Sequence, residues 1–151
     1  MEEKKSQARA LLDKTNRQFN ECNALYHAAA QRCGLSDAAF WTLYALVTSC
    51  EPLTQNRIAG IPKQTLNSDV AAMVKKGLLA LCPGKGAHSG KIVTLTAEGR
   101  ALAERTVVPV IAAEEKAIRA FGLASAEEMH RLAQRHLECL QREFETISAF
   151  P

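Results

Sequence analysis

From about Ser6 to Cys33, apolar residues recur at Leu11, Leu12, Phe19, Cys22, Tyr26, Ala29, Ala30 and Cys33. Steps of three and four place them on one face of a long helix. Gly34 ends it, because glycine takes the left-handed conformation that commonly follows a helix C-terminus. Ser36 reads as the cap of a second helix, through Phe40, Leu43, Leu46 and Val47 to about Cys50, which Glu51-Pro52 closes. Thr54 reads as the N-cap of a short helix, Gln55 to about Ala59, broken by Gly60. Pro62 suits the first turn of the next helix, where its missing N–H is not needed. That helix sets Leu66, Val70, Met73 and Val74 on one side and Lys63, Gln64, Thr65, Asn67, Ser68 and Lys75 on the other, and Gly77 closes it.

Leu78 to Cys82 and Lys91 to Leu95 read as two short strands joined by the turn-forming stretch PGKGAHSG. Thr96 then caps a long helix in which Pro109 predicts a kink or break. Gly122 ends that helix, and Ser125 with Glu128 forms a capping box for the last one. The last helix carries Met129, Leu132, His136, Leu137, Leu140, Phe144 and Ile147 on one face. The pattern is a mainly α fold with a small β-hairpin: a winged helix-turn-helix over 35–105, flanked by helices over 1–34 and 106–151. The winged module is too small to cover the apolar stripes of the outer helices. Two copies pairing those stripes would bury them, which predicts a homodimer.

Composition narrows the class. The chain has 151 residues, 47% of them hydrophobic and 5% aromatic, with a net charge of +3. No apolar run approaches the roughly 18 residues of a membrane span. The charged N-terminus MEEKKSQARALL does not resemble a signal peptide, so a cytoplasmic location is expected. Between Thr54 and Arg105 eight Lys and Arg face three acids, so the middle is basic and the flanks together are slightly acidic. That distribution fits a local contact with a polyanion.

The polar side of the fourth helix is where such a contact has chemistry. Gln64 and Asn67 can make bidentate contacts to adenine, and Thr65 and Ser68 can reach bases or phosphates. Lys63 and Lys75 supply cations, and Gln55 lies on the preceding short helix. Lys85, His88 and Lys91 fall in or beside the glycine-rich hairpin loop, suiting a cationic wing that follows a phosphate backbone. Helix and wing together point to double-stranded DNA as partner.

The run TQNRIA…PKQTLNSDVAAMVKKGLL…GKIVTLTAEGRAL resembles the MarR family of bacterial transcriptional regulators, over about Leu35 to Ala117. The resemblance implies a homodimer with intertwined terminal helices and two winged modules in successive major grooves of a pseudo-palindromic operator. It also implies release by a small-molecule or oxidant inducer. The sequence departs from the family in two places. The wing stretch AHSGK lacks the usual acid-x-arginine element, and the segment between Thr54 and Pro62 is about three residues short.

Other residues invite narrower readings. Phe19, Tyr26, Phe40, Trp41 and Tyr44 are either core or the lining of a pocket for a small aromatic or apolar effector. Five scattered cysteines without a CxxC pattern argue against a disulfide framework. Cys82, at the wing base near Lys85 and Lys91, is the candidate for a thiol-based redox response. His136 and Cys139 fall short of a zinc set, so no metal and no cofactor are expected. No phosphate-binding glycine loop, HExxH or GxSxG motif is present, which predicts a non-enzyme. The remaining alternative is a winged-helix protein-interaction module with little affinity for DNA.

Overall fold

The computed structural model describes residues 2–54, 63–84 and 91–147, with side chains over 4–54, 68–84 and 91–147. Helix α1 spans Glu2–Arg32 and α2 spans Asp37–Thr48. The joint between them is set locally. Gly34 has φ +67°, the Leu35 N–H donates to Ala30 O, and the Gly34 N–H donates to Gln31 O, both at 3.0 Å. This pair of bonds satisfies carbonyls that the end of α1 would leave open. Ser36 then accepts the Ala39 N–H at 3.1 Å through its hydroxyl, as expected of an N-cap.

Thr54 belongs to strand β1, Leu53–Thr54, and pairs with Ile92. The expected helix over 55–59 and its follower Pro62 lie outside the described residues. Helix α3 runs Lys63–Lys75 and ends as α1 does. Gly77 has φ +73°, Leu78 N–H donates to Met73 O, and Gly77 N–H donates to Val74 O, both at 2.9 Å. Strands β2 (Leu79–Cys82) and β3 (Ile92–Leu95) pair antiparallel, from Leu79 opposite Leu95 to Cys82 opposite Ile92. The sheet is three-stranded in the order β1-β3-β2, one strand more than the expected hairpin. A strand of two residues carries no readable alternation; it exists only through its pairing with a distant segment.

Thr96 caps α4, Ala97–Arg105. The break expected from Pro109 occurs just upstream of it, at Thr106 (φ −118°, ψ −72°), whose hydroxyl bonds back to Leu102 O at 2.8 Å. Pro109 is the third residue of α5, Val107–Phe121, in the first turn, where its missing N–H would have had no helical acceptor. Helix α6, Leu123–Glu145, also begins earlier than expected. Its N-cap is Gly122 at φ +95° without a side-chain cap, so Ser125 and Glu128 do not form a capping box there. Glu128 instead takes a two-pronged bond from Arg131, at 2.5 and 2.7 Å, which holds its carboxyl below the usual carboxylate range.

The chain divides into two compact units, 1–110 and 111–151. In the first, Ala30, Phe40, Leu43, Val70, Met73, Leu79, Val93, Ala103 and Val107 form one buried cluster drawn from α1 to α5. Each large side chain so buried contributes about 1.5–3 kcal/mol. The C-terminal half of α1 is keyed to α2 by Tyr26 against Trp41, rings 4.8 Å apart, and by His27 Nδ1, which lies 2.9 Å from Asp37 Oδ2. Upstream of Tyr26 the side chains of α1 described are all exposed. In the second unit, 111–121 and α6 are ordinary solvated helix on one side, with Arg119 paired to Glu115. The other side exposes large apolar residues along α6. No described helix is long and apolar enough to cross a membrane.

Candidate nucleic-acid interface

Helix α3 is anchored on one side and open on the other. Val70 and Met73 are buried, packing α3 against α2 and β2. At four-residue spacing the helix sets positions 63, 67, 71 and 75 in one row and 64, 68 and 72 in the next. At the described ends of these rows Ser68, Ala71, Ala72 and Lys75 are exposed. The small residues Ala71 and Ala72 leave the backbone of α3 open to close approach along the rows that begin with Lys63 and Gln64. Lys63, Gln64, Thr65 and Asn67 lie on the helix, in its first turns, while their side chains fall outside the described residues.

Three exposed lysines lie at the end of α3 or beside the sheet. Lys75 and Lys76 stand exposed at the C-terminal end of α3, and Lys91 stands exposed at the foot of β3. None of the three has an ion-pair partner among the described residues. Free ammonium groups around an open helix face are available to phosphate oxygens. Lys85 and His88, on the loop between β2 and β3, and Gln55 lie outside the described residues. Cys82 is exposed as the last residue of β2, opposite Ile92.

The aromatic residues divide. Tyr26, Phe40, Trp41 and Tyr44 form a stack of edge-to-face and tilted contacts, with ring centres 4.8–6.1 Å apart. Phe40 has no exposed surface, whereas Phe19 is 66% exposed on the free stretch of α1. Two clefts lie elsewhere, where α2 faces the sheet and α4. One, of about 220 Å³, is lined by residues of the α2–β1 joint and β3, from Leu46 and Glu51 to Leu95. The other, of about 170 Å³, is lined by Val47, Ala103, Glu104 and Val108. Leu46, Leu95 and Arg100 line both. Arg100 carries no signal in the sequence: it ends the neutral run TAEGR, and only the fold sets it beside Leu46 at both clefts. His136 and Cys139 join no group of metal ligands among the described residues, and the Cys139 sulfur instead accepts from Arg142 at 3.3 Å.

No sequence-family model matches the chain, and no curated relative does. Its architecture does find matches among solved structures. A MarR family regulator from Neisseria meningitidis aligns with a TM-score of 0.78 at 22% identity, covering 91% of this chain and 99% of that one. The Mycobacterium tuberculosis regulator MosR, in complex with DNA, aligns at 0.55 and 24% identity, covering 85% and 96%. Staphylococcus aureus MarR, in complex with salicylate and kanamycin, aligns at 0.62 and 15% identity, covering 90% and 93%. The chain therefore has the fold of MarR family transcriptional regulators, with six helices and a small three-stranded antiparallel sheet among the described residues.

Proposed function

We propose that the protein is a sequence-specific, double-stranded DNA-binding transcriptional regulator of the MarR type. It acts as a homodimer on a pseudo-palindromic operator and is released by a small-molecule inducer. The observation that carries this reading is α3. Its buried side is fixed by Val70 and Met73, its other side is open, and exposed Lys75 and Lys76 stand at its C-terminal end, with Lys91 exposed beside β3. A helix held this way can enter a major groove with its N-terminal polar residues against base edges. That a neighbour of the same fold is found in complex with DNA supports the reading. Gln64, Thr65, Asn67 and Ser68 would read bases; Lys63, Lys75, Lys85 and Lys91 would hold phosphates, with Gln55 and His88 in support.

The test is fluorescence anisotropy with duplex DNA selected from a randomised pool, against a scrambled duplex, at low and physiological salt. Affinity for the selected duplex should fall steeply with salt, because every phosphate neutralised releases counterions. Asn67→Ala should cost about 1–3 kcal/mol on the selected duplex and relax preference at one base pair. Weak binding with no preference between the duplexes would overturn the reading and leave the protein-interaction alternative standing.

Dimerisation is assigned to the exposed apolar residues of the terminal helices: Leu11, Leu12, Phe19 and Leu25 on α1, and Met129, Leu132, Leu137 and Phe144 on α6. An isolated chain that leaves so many large apolar side chains in water has surface to bury against a partner. The inducer is assigned to the paired clefts rather than to the four-ring stack, whose members already fill one another's space. Apolar walls from Leu46 and Leu95 beside the Arg100 guanidinium suit a small aromatic carboxylate, and salicylate is the natural probe given the neighbour found with it. Salicylate should weaken DNA binding by the wild type and do so less in Arg100→Ala. An unchanged response in that variant would place the inducer elsewhere.

A further inference from the structure

The exit of α3 and the start of α4 are joined through one hydroxyl. The Thr96 side chain lies 2.6 Å from Gly77 O and donates to it, with Leu78 O at 3.1 Å as the longer arm of the same bond. The same oxygen accepts the Gly99 N–H at 3.0 Å, capping α4. The Thr96 N–H adds a bond to Leu78 O at 3.1 Å. Gly77 and Leu78 are also the residues whose own N–H groups close the end of α3. Gly99 completes the contact. It is buried, and a Cβ there would overlap the Leu78 carbonyl, so the first turn of α4 rests directly on the backbone that terminates α3.

An N-cap needs only an acceptor, and asparagine or aspartate would serve α4 as well as threonine. The Thr96 hydroxyl also donates, and its acceptors belong to the end of another helix. We propose that Thr96 is a positioning residue for DNA reading: with Gly99 it latches α4 to the C-terminal cap of α3, so that the angle at which α3 is presented to DNA is set from α4. This rests on the reading of α3 as the recognition helix. With the hydroxyl bonded to Gly77 O, Leu78 O and the Gly99 N–H together, and buried Gly99 packed directly on the Leu78 carbonyl, the joint has one arrangement rather than a continuous range. A displacement of α4 is therefore transmitted to α3 as long as the bond holds. When the bond breaks, α3 keeps its helix and its core contacts through Val70 and Met73 but loses the reference for its orientation.

The test compares Thr96→Val, which loses donor and acceptor, with Thr96→Ser, which keeps both. Ser36→Ala is the control: it removes the cap of α2, whose bond to Ala39 touches no other helix. Each folded variant is titrated with a duplex selected by the wild type and with a scrambled duplex. Thr96→Val should lose about tenfold or more on the selected duplex, the equivalent of one misaligned base contact. Its affinity for the scrambled duplex should change by less than about twofold, since the phosphate contacts are retained. Thr96→Ser and Ser36→Ala should match the wild type on both. A folded Thr96→Val that retains wild-type preference between the duplexes overturns the proposal. A second measurement uses the wild type alone: amide hydrogen exchange at Thr96, whose N–H donates to Leu78 O, and at Gly99, whose N–H donates to the Thr96 hydroxyl. A latch opens as one unit, so the two amides should share one opening free energy. Gly99 opening independently of Thr96 overturns the latch even if DNA binding is strong. Failure of the wild type to bind any duplex selectively would sink the DNA reading while leaving the exchange result to decide the latch.

Discussion

At the scale of single residues, the structure separates two kinds of glycine and exposes one misplaced hydroxyl. A Cβ on Gly99 would meet the Leu78 carbonyl, a backbone atom that cannot rotate away. Gly99→Ala should therefore destabilise the fold by about 1–3 kcal/mol, as overpacking does, read from a thermal or denaturant melt. Unchanged stability would mean that α4 can lift off the end of α3 without penalty. Thr42 predicts the opposite sign. It is fully buried, and its Oγ1 has no hydrogen-bond partner among the described residues. A buried unsatisfied hydroxyl costs about 1–3 kcal/mol, and valine has nearly the same shape. Thr42→Val should raise the melting temperature, and a lower one would reveal a partner for that hydroxyl. Neither residue announces this in the sequence. Gly99 stands in a helical run and Thr42 in an apolar one; what makes Gly99 unusual is Leu78, far along the chain, and what makes Thr42 unusual is full burial without a partner for its hydroxyl.

At the scale of elements, what was legible is what is decided locally. Ser36 and Thr96 cap the helices expected of them, and Gly34 and Gly77 end theirs, because a cap is made by residues within one turn. The same argument predicts how these glycines differ from Gly99. At Gly34 and Gly77 a Cβ would meet nothing within 4 Å, yet φ is +67° and +73°. The whole penalty of alanine there is conformational, about 1–2 kcal/mol for an L residue in the left-handed region. Gly77→Asn should recover part of what Gly77→Ala loses, since asparagine tolerates that region, while Gly99→Asn should recover nothing relative to Gly99→Ala. Equal losses for both substitutions at position 77 would show that crowding, not backbone conformation, is at issue. Where elements depend on partners, spacing alone was not enough. Leu53 and Thr54 form β1 only by pairing with Val93 and Ile92. Pro109 does break the long helix, but upstream of itself at Thr106, because its missing N–H and its ring act on the carbonyl four residues back, at Arg105. Ser125 and Glu128 have capping-box spacing, but the helix begins at Leu123, and Glu128 turns to Arg131. The polar rows of α3 were likewise readable from spacing, whereas the clefts beside Arg100 were not, because their walls come from α2, the sheet and α4.

At the scale of the whole molecule, the exposed apolar residues and the basic surface lead to one linked prediction. Leu132 and Leu137 of α6 are 49% and 47% exposed, and Phe144 65%. If they pair two chains, a charge placed among them is desolvated in the dimer but not in the monomer. Leu132→Asp with Leu137→Asp should then shift the protein from dimer to monomer in sedimentation analysis without unfolding the helices. The first compact unit, with the open face of α3 and its lysines, is untouched by those substitutions. The monomeric variant should still bind DNA, but through one module instead of two. Because log K falls with log salt at about 0.9 per neutralised phosphate, the salt slope counts those contacts directly. The variant's slope should be about half that of the wild type, and its affinity for a two-half-site duplex should fall to its affinity for a single half-site. A slope unchanged on loss of the dimer would mean that one module makes all the phosphate contacts and that pairing serves something other than DNA reading. A slope near zero in both forms would mean that the lysines around α3 do not face phosphate at all.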